Sequence, residues 1–186
     1  MQVKVKRFYK SQEDFRQFYL SLKQTTCPHC RLNGYLNLHG YLRGYDEKSC
    51  MGKVIRGRRI FCSNRNKRKG CGRTFSILSL NTLKKFIIRA YSLWEFLKNI
   101  AQGKDKKRSL SSLQVSFSTS SAYRLWKRFC FAQTKIRVFL LRLCPAPHLE
   151  RSRQPAIQTI LHLKAAFKKT ICPIQSFQYF FQAHFL

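Results

Sequence analysis

The spacing of apolar residues changes character several times along this chain. Phe15, Phe18, Tyr19 and Leu22 recur at helical spacing behind Ser11, a capping residue with Asp14 three positions later. That pattern predicts a short helix whose aromatics pack inward. From residue 25 onward the pattern shortens. Tyr35, Leu36, Leu38, Tyr41 and Leu42, then Val54, Ile55, Ile60 and Phe61, form brief aromatic and β-branched runs broken by Gly34, Gly40, Gly44, Gly52 and Gly57. These read as hairpins, with a closing strand from Thr74 to Ile77.

Helical periodicity then returns. Leu83, Phe86, Ile87, Ala90, Tyr91, Trp94, Leu97 and Ile100 follow the i, i+3, i+4, i+7 rule for five turns, which predicts a helix starting at Asn81 or Thr82 and stopping at Gly103. A short helix near Ser109 to Val115, a turn through Ser116 to Ser118 and a longer helix from Thr119 come next. The longer helix extends through Ile136, Leu140 and Leu143 and ends before Pro145. Pro145, Pro147 and the run from Glu150 to Pro155 read as a linker. Pro155 and Pro173 suit the first turns of two further helices, one carrying Ile157, Ile160, Leu161 and Phe167, the other Phe177, Phe180, Phe181 and Phe185. This tail either packs on the other helices or forms an interface with a second copy or a catalytic partner protein. The expected fold is α+β: a small four-cysteine zinc ribbon followed by a mostly helical, helix-turn-helix-like region. Its segments are an N-terminal helix over 1–24, the ribbon over 25–79, a three-helix region over 80–144 and an apolar helical tail over 145–186.

Charge narrows the choice of partner. With 37 Lys and Arg against 7 Asp and Glu, the 186-residue chain carries +30, and a compact particle of that charge calls for a polyanion. Nucleic acid is the expected partner. No run approaches the roughly 18 apolar residues of a membrane-spanning helix, and the opening residues lack the apolar core of a secretory signal. A cytoplasmic setting without a membrane partner is therefore expected, and eight cysteines there would stay reduced.

Four of those cysteines are paired by spacing. Cys27 and Cys30 form a C-x2-C pair, and Cys62 and Cys71 enclose eight residues. Two turns about thirty residues apart let four thiolates converge on one structural Zn2+ with no coordination position left for substrate. Incidental buried thiols are the bland alternative, a redox pair lacks a βαβ setting, and Cys50 is a weaker substitute ligand. Between Cys62 and Cys71, Arg65, Lys67, Arg68 and Lys69 stand on a loop suited to phosphate contact or simply to solvation. On the helix from Thr119, Ala122, Leu125, Trp126 and Phe129 can face the core. Thr119, Ser120, Tyr123, Arg124, Lys127 and Arg128 then present donors to a DNA major groove. A plain helix hairpin with a solvated basic face fits the same pattern.

The succession CPHC, HGYLRGY, IRGRRIFC and GCGRTFS, followed by a basic helix-turn-helix, resembles the amino-terminal region of bacterial insertion-sequence transposases over about residues 25 to 130. The resemblance implies binding to the terminal DNA of a mobile element, with Cys27, Cys30, Cys62 and Cys71 as zinc ligands. It does not extend to catalysis. The acids Glu13, Asp14, Asp46, Glu47, Glu95, Asp105 and Glu150 are scattered, and no two-metal carboxylate site assembles from them. A DNA-binding protein without catalytic activity of its own is expected. The alternatives are an RNA- or ribosome-associated ribbon protein, with Tyr35, Tyr41, Tyr45 and Phe61 stacking on unpaired bases, and an enzyme using His29, His39 or a lone acid.

Overall fold

The computed structural model describes residues 5–49, 51–147 and 154–186. Cys50, Glu150 and most of the expected linker before Pro155 lie outside them. The described chain is α+β, with one four-stranded sheet and six α-helices. It forms two compact units. The first runs through Gly44 and resumes over Lys53–Thr82, and the second comprises Tyr45–Gly52 and Leu83–Leu186.

In the first unit, helix α1 (Gln12–Leu20) starts where Ser11 Oγ accepts the Asp14 amide at 3.1 Å. Phe15 and Phe18 point into the core, whereas Tyr19, expected there too, is exposed. Ahead of it lies a strand the periodicity does not reveal, β1 (Phe8–Tyr9), which pairs parallel with β4 (Thr74–Ser79). Two residues are too few to display an alternation, and the added pairing carries β4 past its expected end at Ile77. Residues 5–24 thus build the sheet unit instead of standing as a helix of their own. The sheet order is β1-β4-β3-β2, with β2 over Leu36–Tyr45 and β3 over Lys53–Cys62.

Of the glycines expected to break these strands, Gly34 and Gly52 lie outside them, but Gly40, Gly44 and Gly57 lie inside. At Gly57, paired with Leu78, an added Cβ would overlap the Ile77 carbonyl, so glycine permits close strand approach. Neighbouring residues of β4 face opposite ways. Ile77 packs with Tyr9, Phe15, Phe18, Leu36 and Ile60, and Leu78 packs with Phe8 and Leu80.

The second unit corrects the longest predicted helix. Helix α2 covers Ala90–Ala101 and does not begin at Asn81 or Thr82. The helical path is interrupted at Lys85, whose φ is 67°, and Arg89 is extended at φ −85°, ψ 160°. What starts α2 is Glu47. Its buried carboxylate accepts the Arg89 amide at 2.7 Å and the Ser92 hydroxyl at 2.8 Å, and Asp46 takes the Arg89 guanidinium at 2.8 Å. A carboxylate over the free amides of a first turn supplies the acceptor that Arg89 lacks as a cap.

Helix α3 covers Lys106–Ser111, earlier than the expected Ser109 to Val115, because Asp105 caps it by accepting the Arg108 amide at 2.9 Å. The residues after it are drawn away from the helix. The Ser116 amide donates to the Glu47 carbonyl at 2.9 Å, and its hydroxyl donates to the Lys48 carbonyl at 2.7 Å.

Helix α4 (Thr119–Leu140) begins at the expected residue and turns Ala122, Leu125, Phe129, Ile136 and Leu140 inward. Helices α5 (Pro155–Ala166) and α6 (Pro173–Phe181) each open on the expected proline. Ile160, Leu163, Ile174, Phe177 and Phe185 join the same core as α2 and α4, whereas Phe180, expected on the same apolar side, is exposed. Phe185 stacks on Phe129 at 6.2 Å and meets Phe177 edge-on at 5.4 Å. No helix among the described residues is long and apolar enough to cross a membrane.

Replacing Glu47 by Ala should strand the Arg89 amide and Ser92 hydroxyl and cost about 1–3 kcal/mol, read as a lowered urea midpoint. Asp46→Ala should cost less, since the Arg89 guanidinium is only partly buried and keeps Glu47 as a partner. Equal losses would remove the special role of Glu47 at the start of α2.

Candidate metal centre and basic surfaces

Two turns of the first unit carry the paired cysteines, and their backbones are built alike. In the first, the His29 amide lies 3.4 Å from Cys27 Sγ, the Arg31 amide donates to the Cys27 carbonyl at 2.9 Å, and the Cys27 amide donates to the Leu32 carbonyl at 3.0 Å. In the second, the Cys71 amide lies 3.4 Å from Cys62 Sγ, the Gly72 amide donates to the Cys62 carbonyl at 2.9 Å, and the Cys62 amide donates to the Arg73 carbonyl at 2.9 Å. The residue after the second cysteine is left-handed in both, Arg31 at φ 62° and Gly72 at φ 70°. The C-x2-C and C-x8-C spacings are therefore one kind of turn with a short and a long loop. The long loop is pinched at its neck, where the Gly70 amide donates to the Ser63 carbonyl at 3.1 Å.

These turns bring the Sγ atoms of Cys27, Cys30, Cys62 and Cys71 within 4.8 Å of one another. Cys27 and Cys71 are 3.8 Å apart and Cys30 and Cys62 are 3.7 Å apart. A tetrahedron of thiolates at about 2.3 Å from a central ion has edges of about 3.8 Å. A disulfide would need about 2.05 Å, and all four thiols are free. The donor set thus fits one metal ion, and four protein ligands fill a tetrahedron without room for a reacting water. Burial holds the Cys27 thiol above its ordinary value and pushes Cys62 up to about 12, whereas the Leu32 amide brings Cys30 down to about 7. Ionising all four thiols in this space calls for a cation among them. Cys50, the substitute ligand, lies outside the described residues. His29 is exposed and sits edge-on to Phe75 at 6.3 Å, apart from the sulfur cluster.

The expected DNA contacts fall into two groups, one in each unit. Arg65, Lys67, Arg68 and Lys69 are exposed on the long loop of the second cysteine turn. The loop's tip is a tight turn closed by the Arg68 amide on the Arg65 carbonyl at 3.2 Å, with Asn66 and Lys67 both left-handed at φ 52° and 59°. Positive φ at both central positions is a primed turn, which sets the four cations around the loop's tip. In the helical unit, Thr119, Ser120, Tyr123, Arg124, Lys127 and Arg128 are all exposed along α4. Lys106 Nζ, from α3, lies 5.7 Å from the Tyr123 ring centre and 5.9 Å from that of Trp126. Trp126, expected in the core, is half-buried at its rim. Sequence reasoning missed Lys106 as a member of this surface, because it belongs to another helix.

No protein family, curated protein or solved structure matches the chain.

Cys27→Ser and Cys71→Ser should each lose the bound metal and unfold the sheet unit, since a structural metal site of this type contributes about 10–16 kcal/mol, as much as a typical domain's whole stability. Metal analysis and circular dichroism of the purified variants check this. Full metal content with unchanged folding in both would remove the site.

Proposed function

We propose that the chain is a zinc-dependent DNA-binding protein with no catalytic activity of its own. The observation that carries this reading is the division of α4 into an inward face of Ala122, Leu125 and Phe129 and an outward face of Thr119, Ser120, Tyr123, Arg124, Lys127 and Arg128. Helix α3 packs against both α2 and α4, the arrangement a helix-turn-helix needs to present α4 to a major groove. Donors near the start of such a helix reach base edges, and the later cations hold phosphate. The closed set of four soft thiolates favours zinc in a structural role, which makes the sheet unit a zinc ribbon. Its loop from Arg65 to Lys69 is a second phosphate contact. The resemblance to insertion-sequence transposases extends the reading to recognition of the ends of a mobile element.

The engagement of the acids in local structure supports a non-enzymatic role. Asp14 holds the Lys10 amide at 2.8 Å, Glu13 accepts from Gln17, Asp46 and Glu47 anchor Arg89, Glu95 pairs with Lys98, and Asp105 caps α3. A second reading, as an RNA- or ribosome-associated protein, is favoured by rings on the sheet. Tyr41 is exposed on one strand with the Arg58 guanidinium 3.9 Å from its ring centre, and His39 and Phe61 pair at 5.4 Å. Such rings suit unpaired bases.

A binding selection with zinc-loaded protein against random duplexes, at raised salt to suppress the phosphate-driven background, should enrich a sequence motif. On that motif Arg124→Ala should weaken specific binding more than non-specific binding, by about tenfold, whereas Lys67→Ala should weaken both alike. Identical effects would take Arg124 out of base reading. Failure to enrich any duplex, with tight binding to single-stranded RNA, would establish the second reading instead.

A further inference from the structure

Beyond the outward face assigned to duplex DNA, α4 carries a feature that duplex recognition does not use. Phe131, one turn past Lys127 and Arg128, is 74% exposed, the most exposed phenylalanine among the described residues. It borders a groove of about 600 Å³ that is also lined by Lys84, Lys85, Phe86 and Arg128. That volume lies within the roughly 300–1,000 Å³ of small-ligand sites.

The groove owes its cations to the break that separates the predicted long helix from the observed one. Lys85 is left-handed at φ 67°, and the Phe86 amide closes a turn on the Leu83 carbonyl at 3.2 Å. The turn thereby sets two lysines and a ring opposite α4. The other lining side chains, those of Ala132 and Leu186, are apolar. Three cations beside two rings suit an anion that carries a flat apolar face. Lys127 Nζ lies 5.9 Å from the Phe131 ring centre, against one side of the ring.

Resting on the DNA-binding reading, we propose that this groove takes an unpaired deoxynucleotide of the bound DNA, its base against Phe131 and its phosphate among Lys84, Lys85 and Arg128. A paired base shows a protein only its edge, because its faces are covered by its neighbours in the stack. An unpaired one offers its face to a projecting ring. Phe131 lies about 18 Å along α4 from Thr119, at 1.5 Å per residue, so it sits past the segment assigned to the major groove. The DNA recognised would therefore carry a single-stranded end or an extruded base beside the duplex, and the groove would be tolerant of base identity.

The test compares zinc-loaded full-length chain on a fully paired duplex and on the same duplex with a short single-stranded overhang containing 2-aminopurine. Fluorescence anisotropy should give about five- to 150-fold tighter binding to the overhang substrate, the range of one base-ring stack, with a change in 2-aminopurine emission. Phe131→Leu, which keeps an apolar side chain but no ring, should abolish the preference and the emission change while leaving paired-duplex affinity unaltered. Phe131→Tyr should retain both. Equal affinity of the native chain for the two substrates, or a preference that survives in Phe131→Leu, would overturn the groove proposal and leave duplex recognition standing. No binding to either substrate would overturn the DNA-binding reading, and the groove proposal with it.

Discussion

Four thiols held within 4.8 Å of one another are the constraint on which the sheet unit depends. Neutral, they leave a polar hollow beside a small core; ionised, they repel unless a cation sits among them. The two turns that carry them use one hydrogen-bonding scheme, so the long loop of the second turn can be inserted without disturbing ligand geometry. The same cysteines are core residues. Cys27 and Cys62 pack with Leu36, Ile60 and Ile77, and the Ser63 amide donates to the Tyr35 carbonyl at 2.8 Å. A metal held by these thiols would tie ligation to sheet packing, as expected of a unit whose apolar content is small.

The helical unit is organised differently. Its core is continuous from α2 to Phe185. What it needs is a scarce acid in the right place. With 7 Asp and Glu against 37 Lys and Arg, each carboxylate acts among many cations. Glu47 is buried where it can satisfy the start of α2, and the backbone beside it takes Ser116. With so few acids, the charged groups of the exterior are mostly basic. In the proposed reading, this is how a small chain can fold stably while its exterior waits for a polyanion to neutralise it.

The proposed DNA contacts and the proposed nucleotide groove divide the work along α4. The first turns carry hydroxyls and an arginine, groups suited to base edges, and the turns beyond carry a ring and cations, suited to a base face and a phosphate. Two modes of recognition on one rigid helix have a fixed separation, which ties duplex reading to the position of an unpaired nucleotide.

Much of this was legible in the chain. The Ser11 cap, the start of α4 at Thr119, the prolines opening α5 and α6 and the pairing of four cysteines are each written within a few residues, where caps, periodicity and ligand spacing act. The missed features involve partners distant in sequence. Strand β1 is two residues long and exists because β4 pairs with it. Gly57 reads as a break but serves a close approach to Ile77. The predicted helix from Asn81 has faultless periodicity, yet the chain turns at Lys85 and starts α2 at Arg89, where a carboxylate 42 residues earlier waits for its amide. Likewise Lys84 and Lys85 join Phe131 in one groove only after that turn is made. Short-range physical chemistry therefore determined what each segment can be. Tertiary structure decided where helices begin and which cations meet which rings, because a distant acceptor for a backbone amide outweighs the small propensity differences between neighbouring residues.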